Sequence, residues 1–547
     1  MATDPSLKAT GREWAGLAVL TLPVLLISMD MTVLYFALPF LSADLEPSGT
    51  QLLWIMDIYS FLLAGLLITM GTLGDRIGRR KLLMLGAAAF GAASAAAAMA
   101  DSADMLIAAR ALLGVGGATL MPSTLSLIRS MFRDDQQRRT AVSVWTAALA
   151  GGAALGPLLG GALLEHFWWG SAFLVNVPVM VLLLVLGPLL LPEFRDPDPG
   201  EFDLLSTALS LAAVLPVIYG MKKIAEDGVA VVPLVTVGVG LLVGIVFVLR
   251  QRKLTHPLLD VSLFRQRAFS ASVGTNVLAM FAMVGFGLFT SQYLQLVYGL
   301  RPWSAGLWTL PAAGATMAGA TLAAVLVQSI RPAYVISAAL LLASAGFGVI
   351  ARVEADSQLA LVITGATMMA AGVGVVLTLV ADLIIAAAPP ERAGSASGLS
   401  ETCAEFGGAL GIAVLGSIGA AVYRQSLDDD VPPGIPKAAS EVAHETLGGA
   451  VQVAAQLPDD VAELLLTASR EAFTEGMRLA SYAAAGVMFV AAVLAGLMLR
   501  HLRLDTPSAG DPHAPAPTPA PAPAPCSRSR SRSRSRSQDH DAKLPTR

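Results

Sequence analysis

The stretch "GTLGDRIGRRK", Gly71 to Lys81, crowds Asp75, Arg76, Arg79, Arg80 and Lys81 into a glycine-broken turn between two long apolar runs. Only 14% of the chain is charged and 55% is hydrophobic, so charge packed this densely needs a reason. A soluble domain of 547 residues would need far more polar residues to cover its surface. The apolar residues also fall in runs of about 20, the length at which a helix crosses the hydrocarbon core of a bilayer. The turn therefore reads as a loop at a membrane face, and the chain as an all-α polytopic membrane protein.

Working outward from that loop, spans are expected near 14–36, 52–73, 82–100, 105–128, 139–163, 170–192, 202–221, 229–249, 268–292, 303–327, 332–351, 359–385, 395–423 and 477–500, about fourteen in all. Lysine and arginine bias in short loops sets orientation. Basic residues gather after the second span, after the fourth (Arg129, Arg133, Arg138, Arg139) and after the eighth (Arg250, Arg252, Lys253, Arg265, Arg267). The facing loops near 37–51, 101–104 and 164–169 have none, and the facing "KKIAEDG" balances two lysines with two acids. The basic loops and both termini are thus expected in the cytoplasm. Residues 424–476 read as a long acidic external loop with some amphipathic helix. From about 505 the chain turns to Ala-Pro and Ser-Arg repeats, which cannot form a core and read as a disordered tail. Its arginines suggest attraction to anionic lipid and not to nucleic acid. The two cysteines, Cys403 and Cys526, make no disulfide framework.

A primary pump needs a nucleotide site, but the sequence contains no Gly-Lys pair and so no phosphate loop, nor any HExxH or Cys/His metal motif. Neither enzyme chemistry nor a cofactor is expected, which leaves an ion gradient as the energy source. The informative residues are then charges inside the spans, because each is costly there and is usually kept for function. Asp30 lies deep in the first span, Asp57 in the outer part of the second, and Arg110 opens the fourth. Asp382 is near the inner end of the twelfth, and Glu401 and Glu405 are in the thirteenth. The two glutamates are one turn apart on one helix face and resist simultaneous ionisation. In the fifth span Gly152, Gly156, Gly160 and Gly161 surround Pro157, a small-residue stripe that lets helix backbones approach.

Taken together these stretches resemble the major facilitator superfamily. "GTLGDRIGRRK" is similar to its loop motif between spans two and three, "RALLGVGGA" to its fourth-span motif, and "GAALGPLLGG" to the antiporter motif of its exporters. "SMDMTVLYFALPFL" and "LLEHFWWGSAFLVNVPV" resemble the fourteen-span drug:proton antiporters, especially the exporters of methyl viologen and quaternary ammonium compounds. The resemblance covers about residues 14–500. It implies two six-helix bundles, 1–192 and 251–504, two inserted central helices at 193–250, and the tail at 505–547. It also implies a gate built from Gly71, Gly74, Asp75, Arg76, Gly78, Arg79 and Arg80. Proton coupling is expected at Asp30, Arg110, Glu401 and Glu405. Lipophilic cations are expected at Asp30, Asp57, Glu401 and Glu405 beside aromatic surfaces, with Trp54, Tyr59, Trp145, Phe286 and Phe289 as the first candidates and Phe281, Tyr293 and Trp308 behind them. Asp30 and the Glu pair are expected to face a central cavity, one group from each bundle.

Two departures stand out. The second-half loop "VQSIRPAYVI" lacks the aspartate and most of the basic run, and the tenth span has no acid. The expected function is proton-driven export of drugs, dyes and biocides from the plasma membrane by a monomer. Export of an endogenous antibiotic or metabolite is the alternative within transport; a membrane sensor or scaffold is the alternative outside it.

Overall fold

The computed structural model describes residues 9–195, 203–227, 230–254, 257, 261–355, 359–387, 393–430 and 437–500. The Ala-Pro and Ser-Arg tail, with Cys526, lies outside the described residues. Among the described residues, fourteen helical stretches are long and apolar enough to cross a membrane, the sixth and tenth counted with the short helices that lead into them. They are α1 (Gly11–Leu45), α2 (Gly49–Ile77), α3 (Arg79–Ala98), α4 (Ala103–Met131), α5 (Asp135–His166), α6 (Asn176–Leu190), α7 (Leu204–Asp227), α8 (Val231–Gln251), α9 (Arg267–Gln292), α10 (Leu310–Leu326), α11 (Pro332–Ile350), α12 (Leu359–Ala387), α13 (Ala393–Asp430) and α14 (Asp459–Leu499). One-turn or two-turn helices at Ser171–Leu174 and Pro302–Trp308 lead into α6 and α10.

A helix in lipid closes all its interior hydrogen bonds, so only its ends need special chemistry. That chemistry is local in the sequence. Ser48 and Gln51 form a reciprocal cap on α2, Gln51 N donating to Ser48 Oγ at 3.2 Å and Ser48 N to Gln51 Oε1 at 3.0 Å. Asp134 accepts from Gln137 N at 2.9 Å to start α5, and Asp203 accepts from Ser206 N at 3.0 Å to start α7. Gly78 separates α2 from α3 with φ of 110°, a conformation open to glycine.

One hydrophobic core gathers side chains mainly from Leu17 to Leu191, among them Phe90, Leu113, Phe132 and Phe173, and takes in Leu288, Leu294, Ala305 and Ile412 from the second half. A second gathers residues from Leu263 to Leu499, including Phe269, Phe286, Phe347 and Met477. Within the first half, Arg12 donates to the Leu189 carbonyl at 2.7 Å and Ala9 N to Gln137 Oε1 at 2.8 Å, so the starts of α1 and α5 and the end of α6 share one end. At the opposite end Trp169 Nε1 donates to Asp44 at 2.7 Å and Gln51 to Asp104 at 2.9 Å. The basic turn lies at the first of these ends, called here the basic end.

The region read as one external loop is largely helical. α13 runs on to Asp430, helices follow at Lys437–Glu445 and Leu447–Ala454, and α14 begins at Asp459, four to five turns before the expected start of the last span. Its early turns are held by polar contacts: Arg470 donates to the Leu296 carbonyl at 3.0 Å and Arg478 to the Ala351 carbonyl at 3.2 Å, satisfying carbonyls just past α9 and at the end of α11. Glu445 accepts from Gly49 N at 2.7 Å, so this cap also touches the start of α2. α7 is also longer than expected. Lys222, read as part of a loop, lies within the helix and is 1% exposed.

Candidate functional site

α1, α2 and α4 bring Asp30 and Arg110 together. Arg110 is fully buried, and one guanidinium nitrogen binds the Asp30 carboxylate. Its Nε donates to the Ile55 carbonyl at 2.9 Å and Nη2 to the Met56 carbonyl at 3.3 Å, while its plane lies over the Tyr59 ring at 4.9 Å. Arginine suits this place because its fork serves a carboxylate, two carbonyls and an aromatic face at once. Asp30 therefore points into the first half, with a side chain 3% exposed, and not into an open cavity as the sequence reading had it.

Asp57 is also paired. Lys222 Nζ of α7 lies 2.9 Å from its Oδ1 and 2.8 Å from its Oδ2, and 4.0 Å from the centre of the Trp54 ring. The sequence reading named Asp57 and Trp54 but missed Lys222, whose neighbours Lys223, Glu226 and Asp227 gave it the look of a loop residue.

Glu401 and Glu405 differ from both. They are half-buried on α13, and no described side chain donates a hydrogen bond or ion pair to either. α13 itself packs across the junction of the two halves: a Cβ at Gly416 would lie 2.5 Å from the Leu53 side chain of α2. These acids alone among the named candidates combine partial exposure with the lack of a described partner. Asp382 is exposed on α12.

The aromatic candidates scatter. Tyr59 joins the Arg110 cluster, and Trp145 Nε1 donates to Thr124 Oγ1 at 3.1 Å, tying α5 to α4. Phe286 and Phe289 correct the expectation. They stack within the second core, Phe286 on Phe347 at 5.2 Å and Phe289 on Phe473 at 6.1 Å, because the bundle needs large rings to fill it. Phe281 and Tyr293 are buried in that core, and Trp308 faces outward, 44% exposed.

The glycine stripe of α5 clasps α1. A Cβ at Gly152 would lie 2.3 Å from the Leu25 carbonyl oxygen, one at Gly156 would lie 1.9 Å from Thr32 Oγ1, and one at Gly160 would lie 3.2 Å from Val33 Cα. The same helix meets the second half: a Cβ at Gly161 would sit 2.6 Å from the Pro302 carbonyl oxygen, and one at Gly306 2.5 Å from that of Pro157. Tyr35 Oη donates to the Val284 carbonyl at 2.7 Å, and Ser291 Oγ to the Tyr35 carbonyl at 2.9 Å. The halves are thus closed against each other away from the basic end.

At the basic end Asp75 of α2 and Arg79 of α3 pair at 2.5 Å across the break at Gly78. Arg80 reaches Glu193 and the Leu191 carbonyl, at 3.5 and 3.0 Å, and Arg195 donates to the Ile77 carbonyl at 3.1 Å. These contacts stay within the first half. Gly71 and Gly74 let α2 lie close to Pro122 and to the Arg79 side chain. Arg76 also has an interaction. Glu193 and Arg195, which complete this cluster, carry no motif and were not legible in the sequence.

A cavity of about 910 Å³ opens between α2, α7, α8 and α13, lined by apolar groups such as Phe61, Leu211, Phe247, Cys403 and Phe406. By helical spacing Glu401 and Glu405 project from the far side of α13 relative to Cys403 and Phe406. The cavity and the acids are separate features.

With this geometry the relatives agree. The sequence matches the Major Facilitator Superfamily over residues 20–412. It is 45% identical to the multidrug efflux pump LfrA of Mycolicibacterium smegmatis, covering 91% of this chain and 98% of that one. It is 35% identical to the methyl viologen resistance protein SmvA of Salmonella typhimurium, over 88% and 97% of the two chains. It is 31% identical to the tetracenomycin C resistance and export protein of Streptomyces glaucescens, over 90% and 93%. Among solved structures, a bacterial homologue of the human lysosomal transporter Spinster, in an inward-facing state, shares the fold with a TM-score of 0.63 at 18% identity, over 90% and 98%. Fourteen spans in two packed halves, the loop motif with its ion pair, and relatives aligned nearly end to end leave one assignment: the chain is a multi-pass membrane protein that belongs to the Major Facilitator Superfamily.

Proposed function

We propose that the protein is a proton-coupled multidrug efflux antiporter that exports lipophilic, often cationic drugs, dyes and biocides. The basic end faces the cytoplasm, which puts both termini there and makes the described conformation closed to the outside. The observation that carries the reading is the Glu401–Glu405 pair, two half-buried acids without a described counter-charge on the helix that packs against α2 across the junction of the halves. Close homology to an efflux pump supports the substrate class.

The cycle follows from electrostatics. A carboxylate without a partner is costly inside a membrane, and either a proton or an organic cation relieves that cost. The two ligands therefore compete for Glu401 and Glu405. Drug enters from the cytoplasm or inner leaflet when the pair is deprotonated, the halves rock about the closed contact, and external protons displace it. Asp30 is the second proton carrier, and Arg110 is its partner whenever the proton leaves.

Transport of a fluorescent cation into inverted vesicles tests the reading. Uptake should collapse with the pH gradient and vanish in Asp30→Asn, while Glu401→Gln/Glu405→Gln should blunt the weakening of drug binding at low pH. Uptake that is indifferent to the gradient, or pH dependence unchanged in both variants, would refute it. Cysteine labelling tests orientation: strong external labelling at position 78 in intact cells would overturn the assignment of sides.

A further inference from the structure

The inserted helix α7 is joined to α2 along a seam that runs through the membrane. Asp57, Phe61, Gly65 and Thr69 recur every fourth residue on α2, and Lys222, Ile218, Leu211 and Thr207 recur every fourth or seventh on the antiparallel α7. Asp57 and Lys222 form the ion pair at one level. Phe61 and Ile218 share a small core at the next. A Cβ at Gly65 would lie 2.5 Å from the Leu211 side chain. Thr69 and Thr207 hydroxyls meet at 2.6 Å at the basic end. The α7–α8 hairpin is itself clasped there, Arg250 binding Asp203 at 2.9 Å and Gln251 donating to Ser206 Oγ at 2.7 Å.

The face that α7 turns to the second half is different in kind. Val214, Leu215 and Ile218 meet Phe406, Ala409 and Ala413 of α13, all apolar. We infer that α7 is a working part of the first bundle, latched to α2 by Lys222 and sliding with it against α13 during transport, and that Asp57 is a positioning residue and not a carrier of drug or proton. The inference rests on the transport cycle proposed above.

Three observations carry it. The ammonium group donates to Asp57 Oδ1 at 2.9 Å, lies 2.8 Å from Oδ2 and sits over the Trp54 face, and both charged side chains are fully buried, so the two charges are matched to each other and closed off from solvent. Pulling α7 from α2 would strand two unpaired charges away from water, whereas sliding on α13 exchanges one apolar contact for another. The apolar cavity beside this sliding face gives the contact room to change shape.

Two experiments judge it. In a background with Cys403 and Cys526 replaced by serine, the hydroxyl spacing puts Thr69→Cys/Thr207→Cys within disulfide reach. Oxidising that pair should leave dye export near its reduced level, while oxidising Ile218→Cys/Ala409→Cys should abolish it reversibly. Loss of export in the first pair, or retention in the second, would overturn the inference. The second experiment removes charge. Lys222→Met should cut export roughly tenfold and lower the thermal midpoint of the purified protein, since it strands a buried carboxylate. Asp57→Leu/Lys222→Met should bring both back to within about twofold of wild type, with pH-gradient dependence intact. A double variant that recovers stability but not coupled export would show that Asp57 carries a proton or drug. Thermal unfolding reads the latch even where the wild type moves no dye: that failure would sink the proposed function, and an unrescued midpoint would sink the latch.

Discussion

Gly152→Ala isolates the geometry on which the antiporter motif rests. The new methyl would lie 2.0 Å from Ser28 Oγ and 2.3 Å from the Leu25 carbonyl oxygen, against at least 3.4 Å in ordinary contact. A serine hydroxyl can rotate; a helical carbonyl cannot. The helices α1 and α5 must therefore part by about 1 Å at this level. Because Gly156 and Gly160 use the same seam, a gap of that size forfeits a quarter to half of the dispersion attraction along it. Overpacking of this kind costs about 1–3 kcal/mol. The neighbouring glycine supplies the control: a Cβ at Gly151 would meet nothing within 4 Å, so Gly151→Ala should be silent.

The consequence reaches the charges. Asp30 sits between Ser28 and Thr32, the two residues that touch Gly152 and Gly156, and on the first side of α1 it meets Arg110. Moving α1 by 1 Å loosens that pair. Gly152→Ala should lower the thermal midpoint in detergent by several degrees and reduce export, and adding Ser28→Ala should restore only part of both, because the Leu25 carbonyl still clashes. Equal midpoints for Gly151→Ala and Gly152→Ala, or complete rescue by Ser28→Ala, would refute the reasoning.

Arg110→Lys keeps the cation opposite Asp30 but gives up the fork's bonds to the Ile55 and Met56 carbonyls, each worth about 1.5–3 kcal/mol, so stability should fall and export be lost; calorimetric or fluorescence unfolding alongside vesicle assays checks both. Asp75→Asn removes a partly exposed pair worth at most about 1 kcal/mol, so stability should hold while turnover falls and equilibrium dye binding stays near wild type. Asp203 offers a pH test. Burial raises its pKa, but hydrogen bonds from Ser206 and Arg250 outweigh that and hold the carboxyl below its ordinary value. A depressed value means the stabilisation is present above the ordinary carboxylate range and lost as pH falls through the folded value. The gap in thermal midpoint between wild type and Asp203→Asn should stay constant from neutral pH down to about 4 and close below it.

The fourteen crossings were legible because bilayer thickness imposes a sharp length on each apolar run, and the charged turn around Asp75 and the glycine stripe because both are short-range patterns. Partners were not. Asp30 and Arg110 lie 80 residues apart and Asp57 and Lys222 lie 165 apart, so pairing is a property of the folded bundle. One signal for Lys222 was present: Thr207, Leu211, Ile218 and Lys222 continue a single helical face past the point where the apolar run ends. An aromatic ring in a span gives no such signal, since Phe286 would look the same in a cavity or in the core that it fills. The start of α14 was hidden because its first turns are amphipathic, and they are held by contacts made in the fold, from Arg470, Arg478 and the small apolar cluster around Leu465.

The distribution of paired charge bears on why the tenth span can lack an acid. Two cations stand inside the spans near the named acids, Arg110 and Lys222, and each is matched to one aspartate. Those pairs are neutral as units, so they set helix positions without attracting an organic cation. Had Lys222 been apolar, Asp57 would be a third unmatched anion, and the cost of keeping it buried would compete with that of the Glu pair. With Lys222 in place, the unpaired charge open to an organic cation is concentrated on Glu401 and Glu405, while under the proposed cycle Asp30 exchanges only a proton beside Arg110. A site with at most two negative charges one turn apart can be satisfied by one cation and one proton, or by protons alone. Under the proposed cycle, specificity for charge then resides in α13, and the rest of the buried polar network holds α1, α2, α4 and α7 in register around it.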